Sequence, residues 1–151
     1  MKFSLDEQAT RLLGEKGDVT HFATGIAVMK DGKVLLVKRA PHDFLGGNYE
    51  LPGGGVDDGE TIVESMAREM KEELGLTPKK IIGNFKGFDY STNKKPKVRQ
   101  INFIVEPEDY MIKLDPNEHV EFKWVGRNDY QKLFSTTDEV KNCLADLFRL
   151  S

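Results

Sequence analysis

What the sequence lacks excludes several classes of protein. It contains one cysteine, Cys143, so the chain cannot form an internal disulfide, which fits a reducing compartment. It has no cluster of cysteines and histidines with the spacing of a zinc site. Residues 1–14 carry charges within their apolar pattern and lack the unbroken apolar stretch of a signal peptide or membrane span. These absences favour a cytoplasmic protein without a membrane partner.

An excess of positive charge is also missing. The chain has 22 Lys and Arg residues against 25 Asp and Glu residues, which gives a formal net charge of −3. Such a balance provides no overall attraction to nucleic acid or to an anionic membrane, so nucleic acid is not an expected partner. An anionic substrate would therefore need a local positive site, supplied by a metal ion or by placed Lys and Arg side chains.

Length and composition are those of a globular protein. The chain has 151 residues, of which 38% are hydrophobic and 31% are charged. We expect residues 1–151 to form one domain, since no repeat or interdomain linker is present. Residues 1–18 form an N-terminal extension of this domain, in which Leu5–Leu13 could be a short amphipathic helix.

The order of the elements predicts a mixed sheet with few helices. Asp31-Gly32 is a hairpin signal between two strands, and the glycine run Gly53–Gly55 is expected to be a loop. Only one strong strand-helix unit is visible, which disfavours a doubly wound parallel fold. The predicted strands are His21–Lys30, Val34–Val37 with its end at Lys38-Arg39, Tyr49–Leu51, Lys80–Tyr90, Val98–Val105 and Glu121–Val125. The predicted helices are Thr61–Leu74, Asn128–Phe134 and Thr137–Leu150.

The helix from Thr61 to Leu74 has the clearest signals. Thr61 and Glu64 form a capping box, and Gly75 is a natural C-terminal stop. The core face of this helix is predicted to consist of Val63, Ala67, Met70 and Leu74. Beside it lie three glutamates at i, i+3 and i+4 positions, Glu69, Glu72 and Glu73. The side chains of Arg68 and Lys71 are expected to point away from them.

These three carboxylates oppose helix stability. Like charges at such spacings cost roughly 0.2–0.5 kcal/mol per pair, and the helix dipole disfavours negative charge near the C-terminus. A divalent cation bound between them would remove the conflict, and carboxylate-rich sites suit Mg²⁺ or Mn²⁺. A solvated acidic face is the alternative interpretation, and the helix by itself does not decide between the two.

The residues around the helix resemble the Nudix box, Gly-x5-Glu-x7-Arg-Glu-U-x-Glu-Glu-x-Gly-U, where U is a bulky apolar residue. Nine constraints over 23 residues are met, which makes a chance match very improbable. The matching residues are Gly54, Glu60, Arg68, Glu69, Met70, Glu72, Glu73, Gly75 and Leu76. Flanking stretches of residues 22–150 are also similar to the family. The resemblance implies the Nudix-type α/β/α sandwich, with a mixed β-sheet between helices.

The resemblance also implies a reaction and a set of metal ligands. Nudix hydrolases use metal ions to direct water at a nucleoside diphosphate linked to another moiety. By resemblance, Glu69, Glu72 and Glu73 bind Mg²⁺ or Mn²⁺, and Gly54 adds its carbonyl oxygen. Glu60 and Arg68 are expected to form a supporting ion pair that orients the loop and the helix.

The general base varies within the family, so alternatives stay open. Glu69 is one candidate, and Glu118 in the Asp-Pro-Asn-Glu loop is the one that we favour. Glu121 competes with Glu118, and a solvated loop acid is the alternative interpretation of Glu118 itself. Arg39 could contact substrate phosphate or be a surface arginine, and Glu50 could position the substrate or the metal.

The remaining polar residues carry weaker signals. The histidines, His21, His42 and His119, have no ligand spacing and are expected on the surface or in loops. The basic hairpin tip is expected to be a solvated turn, although it could steer an anionic substrate; its residues are Lys94, Lys95, Lys97 and Arg99. The box does not specify the substrate, so a small nucleotide is the default, and a homodimer is left open. A non-catalytic Nudix-like nucleotide sensor is the second hypothesis, although such sensors often lose box glutamates.

Overall fold

The computed structural model describes residues 19–42 and 46–150. The predicted extension, residues 1–18 with its helix Leu5–Leu13, lies outside these residues. Within the described part of the chain, neither helix combines the length and the apolar character needed to cross a membrane. In chain order the elements are β1 His21–Ala27, β2 Met29–Lys30, β3 Lys33–Arg39, β4 Tyr49–Glu50, β5 Gly53–Gly55, α1 Ile62–Leu74, β6 Pro78–Tyr90, β7 Val98–Pro107, β8 His119–Gly126, a 3₁₀ turn Tyr130–Lys132, and α2 Asp138–Leu150.

The strands form two sheets where the sequence predicted one. The first has the order β5-β1-β7-β6 and is mixed, because β1 and β7 run parallel while the other pairs are antiparallel. The second is antiparallel, with β3 paired to β2, β4 and β8. The predicted hairpin between β2 and β3 is confirmed, since Asp31 and Gly32 have φ angles of 52° and 75°.

One helix covers each side of the strands, which confirms the α/β/α sandwich. Helix α1 contributes Met66 and Met70 to a core that includes Ile26 and Phe103. Helix α2 contributes Leu144 to a second core on the opposite side, which contains Leu36. Successive side chains of β1 and β7 point to opposite faces, so the same two strands contribute side chains to both cores.

Three predicted elements differ from the structure. The glycine run Gly53–Gly55 is a strand and not a loop, and it pairs with β1. A Cβ at Gly53 would lie 1.9 Å from the carbonyl oxygen of Thr24, so only glycine allows this close pairing. The helix predicted for Asn128–Phe134 is reduced to a 3₁₀ turn, because Asp129 provides no side-chain cap and the backbone is extended at Leu133. The predicted strand His21–Lys30 is interrupted at Val28.

Candidate active site

Helix α1 is terminated by the signals predicted from the sequence. The side chains of Thr61 and Glu64 bond reciprocally to each other's backbone N–H groups, at 3.0 Å in both directions. Gly75 ends the helix with a φ of 68°. The core face was partly mispredicted, since Met66 is fully buried while Ala67 is half-buried. The glutamates consequently lie on the edge of the face that packs against β1 and β5.

Glu69 lies directly against the glycine strand. A Cβ at Gly54 would be 2.5 Å from the Glu69 Oε1 atom, so the absence of a side chain at Gly54 leaves the space that this carboxylate occupies. The side chain of Glu69 is buried, and burial raises the pKa of its carboxyl group, while the neighbouring Arg68 opposes that shift. The buried carboxyl group of Glu69 therefore lies against the backbone of β5 at Gly54.

Glu73 is buried more deeply than Glu69. One oxygen of Glu73 accepts a hydrogen bond of 2.9 Å from the backbone N–H of Gly53. Burial raises the pKa of Glu73 to about 9, and the nearby carboxylates of Glu69 and Glu118 add to the shift. The single N–H donor does not compensate for removing this charge from water, so the folded protein without a cation favours the protonated, neutral form of Glu73.

Glu72 differs from the other two glutamates of the helix. Its side chain is 58% exposed and accepts a 3.0 Å hydrogen bond from Arg68. It therefore lies on the rim of the acidic cluster, where it can reach solvent or a ligand. The predicted triplet thus consists of two buried carboxylates and one exposed carboxylate.

Arg68 turns toward the glutamates, so the expectation that it points away was wrong. Its guanidinium donates to Glu60 at 2.6 and 3.0 Å and to the carbonyl oxygen of Gly55 at 3.0 Å. It also donates to Glu69 at 3.0 Å. The length and planar fork of arginine let it curl along the helix and reach all of these acceptors. The hydrogen bond from Arg68 lowers the pKa of Glu60, which is consistent with a permanent ion pair.

Glu118 and His119 reach the same cluster from the start of β8. One carboxylate oxygen each from Glu73 and Glu118 and one ring nitrogen of His119 lie within 4.8 Å of one another. Glu118 is exposed, whereas His119 is 4% exposed. The expectation that His119 is a surface or loop residue was therefore wrong. A register shift in the pairing of β3 with β8 places His119 opposite Arg39 and turns its ring inward.

Glu121, the competing acid, engages different groups. It accepts a 3.0 Å hydrogen bond from the Tyr49 hydroxyl and forms a 3.2 Å ion pair with Lys38. These contacts lower the pKa of Glu121, with Lys38 as the main cause. The structure therefore brings Glu118 and not Glu121 to the buried glutamates of helix α1.

Arg39 and Glu50 contact each other at the edge of the cluster. The Nη1 atom of Arg39 donates to both carboxylate oxygens of Glu50, at 2.7 and 2.9 Å. The Nε2 atom of His119 lies 4.0 Å from the Glu50 Oε2 atom. Burial raises the pKa of the nearby Tyr90 hydroxyl, and the charge of Glu50 adds to this effect. The two predicted substrate residues thus form a pair beside the acids, with an aromatic ring next to them.

The basic turn also approaches the site. The Nζ atom of Lys95 lies 3.5 Å from the position of a Cβ at Gly55, so this side chain reaches over the glycine strand. Other positive charges of the hairpin are engaged elsewhere, because Lys97 and Arg99 pair with Asp89. Sequence reasoning treated the turn as a source of general attraction, since nothing local indicates which lysine lies over β5.

The donor set fits a divalent cation. Carboxylate oxygens of Glu73 and Glu118 lie within 4.8 Å of each other, and the carboxylate of Glu69 lies against Gly54. Such hard oxygen donors suit Mg²⁺ and Mn²⁺. The raised pKa values of Glu69 and Glu73 are consistent with a cation site, because a cation would stabilise the ionised forms that burial disfavours.

Comparison with known proteins identifies the family. The NUDIX domain model matches residues 19–147 of the chain. An ADP-ribose pyrophosphatase of Methanocaldococcus jannaschii is 40% identical over 77 residues, which cover 51% of this chain and 44% of that protein. An RNA pyrophosphohydrolase of Ruthia magnifica is 28% identical over 142 residues, which cover 83% of this chain and 77% of that protein. The first match therefore spans less than half of the relative's own length.

Comparison of the fold with solved structures agrees with the family match. The crystal structure of a MutT NUDIX hydrolase from Burkholderia pseudomallei superposes with a TM-score of 0.73 at 22% identity, and covers 84% of this chain and 97% of that chain. At this identity the likeness concerns the fold, and the α/β/α arrangement described above is the shared part. The family match, by contrast, extends over nearly all described residues. The chain belongs to the Nudix family.

Proposed function

We propose that the chain hydrolyses a phosphate anhydride in a small nucleotide with the aid of Mg²⁺ or Mn²⁺. The observation that carries this proposal is the position of Glu69 and Glu73 against the glycine strand, with Glu118 beside Glu73. Buried acids with raised pKa values within the Nudix box are hard to explain by stability, because they weaken the fold in the absence of a cation.

The residues divide the work as follows. Glu69, Glu73 and the carbonyl oxygen of Gly54 hold the cation, with Glu72 as an exposed ligand at the rim. When bound, the cation polarises the phosphate and lowers the pKa of a water molecule. The ion pair of Arg68 with Glu60 fixes helix α1 against β5, because its hydrogen bonds join the two elements.

The other residues face the substrate. Glu118 is exposed and lies beside Glu73, so it can accept a proton from the attacking water. Arg39 binds phosphate oxygen with part of its fork while Glu50 holds its orientation. Lys95 reaches over Gly55 and adds positive charge where an anionic substrate enters.

The substrate class is proposed from chemistry that the relatives share. Their names describe an ADP-ribose pyrophosphatase, an RNA pyrophosphohydrolase and a nucleoside triphosphatase. All three names refer to phosphoric anhydrides, and the modest net charge of −3 makes a long nucleic acid a poorer candidate here. We therefore propose a nucleoside triphosphate or a nucleoside diphosphate derivative.

A substrate panel tests the activity. The purified chain is incubated with Mg²⁺ or Mn²⁺ and a set of nucleoside triphosphates, dinucleotides and nucleotide sugars, and the release of phosphate and pyrophosphate is measured. Glu69→Gln and Glu72→Gln are expected to lower the rate, while Glu108→Gln, at an exposed position outside the site, serves as the matched control. Tight nucleotide binding without any turnover would instead favour the sensor hypothesis.

The general base is tested with a pair of variants. Glu118→Gln is expected to reduce kcat by about 10²–10⁴-fold, the usual contribution of general-base catalysis. Glu121→Gln keeps the same loop and strand and should have a much smaller effect, since Glu121 is engaged with Tyr49 and Lys38. Equal losses in the two variants would exclude Glu118 as the specific base. The oligomeric state stays a prediction, which light scattering of the purified chain would measure.

A further inference from the structure

His119 has an environment that its role in packing does not explain. The side chain is 4% exposed, and its Nδ1 atom is buried with no hydrogen-bond partner among the residues that the structure describes. A buried polar atom without a partner is costly, so native structures rarely keep one without a reason. Metal binding is one such reason, because imidazole is a common metal ligand and carboxylates lie next to this ring nitrogen.

Three acids lie close to the ring of His119. Glu73 and Glu118 each place an oxygen within 4.8 Å of one of its nitrogens. The Nε2 atom is 4.0 Å from the Glu50 Oε2 atom, which is too long for a hydrogen bond. The carboxylate of Glu50 instead accepts two hydrogen bonds from Arg39. The ring is held among acids and forms a direct hydrogen bond with none of them.

We propose that His119 supplies a nitrogen ligand, together with Glu73 and Glu118, to a divalent cation on the β8 side of the acidic cluster. This cation position is separate from the one between Glu69 and the glycine strand, and the inference rests on the proposed function because the two positions share Glu73. The donor set contains one nitrogen and two carboxylate oxygens. Mixed nitrogen and oxygen sites prefer Mn²⁺, Co²⁺ or Zn²⁺ to Mg²⁺, which keeps oxygen ligands and water.

This site would give the protein a metal preference that the Nudix box does not encode. The box runs from Gly54 in β5 through α1 to Leu76, whereas His119 comes from the pairing of β8 with β3. The first cation position, with oxygen donors only, accepts Mg²⁺ and Mn²⁺ alike. The second position is expected to be filled at lower concentrations of Mn²⁺ than of Mg²⁺, so the two metals should bind with different stoichiometry.

Pulsed EPR of the Mn²⁺-loaded full chain tests the nitrogen ligand directly. The protein is labelled with histidine that carries ¹⁵N in its imidazole ring only, so that a ring nitrogen is distinguished from backbone nitrogen. We expect a ¹⁵N coupling in the labelled wild-type protein and its loss in His119→Gln. The matched control is His21→Gln, an exposed histidine at the start of β1, which should keep the signal.

Calorimetric titration provides a second readout. His119→Gln is expected to weaken Mn²⁺ binding by about tenfold or more, and to change Mg²⁺ binding by much less. The absence of histidine coupling in the folded wild-type protein would overturn the proposal without any variant. Unchanged Mn²⁺ affinity in a folded His119→Gln protein, verified by circular dichroism, would overturn it too.

The outcomes separate this inference from the proposed function. Hydrolysis of a panel substrate without histidine coupling would leave the function standing and remove the nitrogen ligand. Histidine coupling without hydrolysis of any substrate would leave the metal site standing and remove the proposed activity. Both experiments use the same preparation of the full chain, so a difference between them is not caused by folding.

Discussion

Replacing Glu73 with glutamine separates the charge of the buried carboxylate from its shape. The amide of glutamine keeps an oxygen that can accept the hydrogen bond from the Gly53 N–H group, and it fills nearly the same volume. What the substitution removes is the ionisation of a group whose pKa burial raises to about 9 in the folded, metal-free protein. The variant therefore measures how much that buried ionisation weakens the fold.

The sign follows from proton linkage. The usual pKa of this carboxyl group is 4.5, and the folded protein raises it to about 9, so between these pH values the folded state binds a proton that the unfolded state has lost. The stabilisation is complete below pH 4.5 and is lost as the pH rises toward 9. At about 1.4 kcal/mol per pH unit, metal-free wild-type protein should lose about 3 kcal/mol between pH 5 and 7.5 relative to the Glu73→Gln variant.

Urea denaturation in the presence of EDTA provides the assay. The fluorescence of Trp124, the single tryptophan, follows unfolding of wild type, Glu73→Gln and the exposed control Glu108→Gln at both pH values. The comparison between proteins cancels the titration of groups that they share. Parallel pH profiles for wild type and Glu73→Gln would refute the reasoning, because the carboxylate would then ionise as easily in the folded state as in water.

Added Mg²⁺ should reverse the order. Binding to the folded state stabilises wild type by an amount that grows with the logarithm of the metal concentration, and Glu73→Gln should gain much less. A glutamine variant that Mg²⁺ stabilises as much as wild type would show that Glu73 is not a ligand. The metal-free and metal-loaded measurements therefore test the burial and the binding role of the same side chain separately.

Three further predictions concern other parts of the site and fold. Gly54→Ala should weaken Mg²⁺ binding about tenfold or more, because the new Cβ would lie 2.5 Å from Oε1 of Glu69, whereas Gly83→Ala, in open space, should not. Arg68→Lys should lower the free energy of unfolding by about 1–2 kcal/mol in urea, because lysine cannot keep the fork of hydrogen bonds. Cys143, whose pKa burial raises to about 11, should react with iodoacetamide at pH 8 only after unfolding.

Each of these predictions has a contradicting result. Equal Mg²⁺ affinities of the two alanine variants would mean that the Glu69 carboxylate moves aside without loss. If the Arg68→Lys protein were as stable as wild type, the contacts of Arg68 would contribute as little to stability as ion pairs on the surface do. Rapid alkylation of Cys143 in the native protein would show that helix α2 opens readily.

The local signals in the sequence predicted helix α1 closely. A capping box, an apolar stripe and a terminal glycine act over a few residues, so the bounds of the helix follow from local signals. The hairpin at Asp31-Gly32 was predicted for the same reason. These features depend on backbone conformations that one or two residues determine. The pairing of Arg68 with Glu60 was expected from the resemblance to the Nudix box and not from spacing.

Two of the errors concern contacts between distant segments. The strand at Gly53–Gly55 exists because β1 accepts it as a partner, and no local property of three glycines indicates such pairing. His119 is buried because β8 shifts its register against β3 between Lys38 and Arg39. A histidine two residues earlier than the predicted strand start gives no sign of this shift. Long-range register was therefore the information that the sequence did not reveal.

The conflict between charge and stability explains why both kinds of information are needed. Spacing alone showed that Glu69 and Glu73 repel each other near a helix C-terminus, but a solvated acidic face would have relieved that repulsion. The fold keeps solvent away from the two carboxylates, because β5 covers them and Glu118 approaches from the start of β8. Arg68 compensates only part of the charge, since most of its hydrogen bonds go to Glu60 and to the backbone of Gly55. The proposed cation would add positive charge to this cluster, and its binding to the folded state would also stabilise the fold.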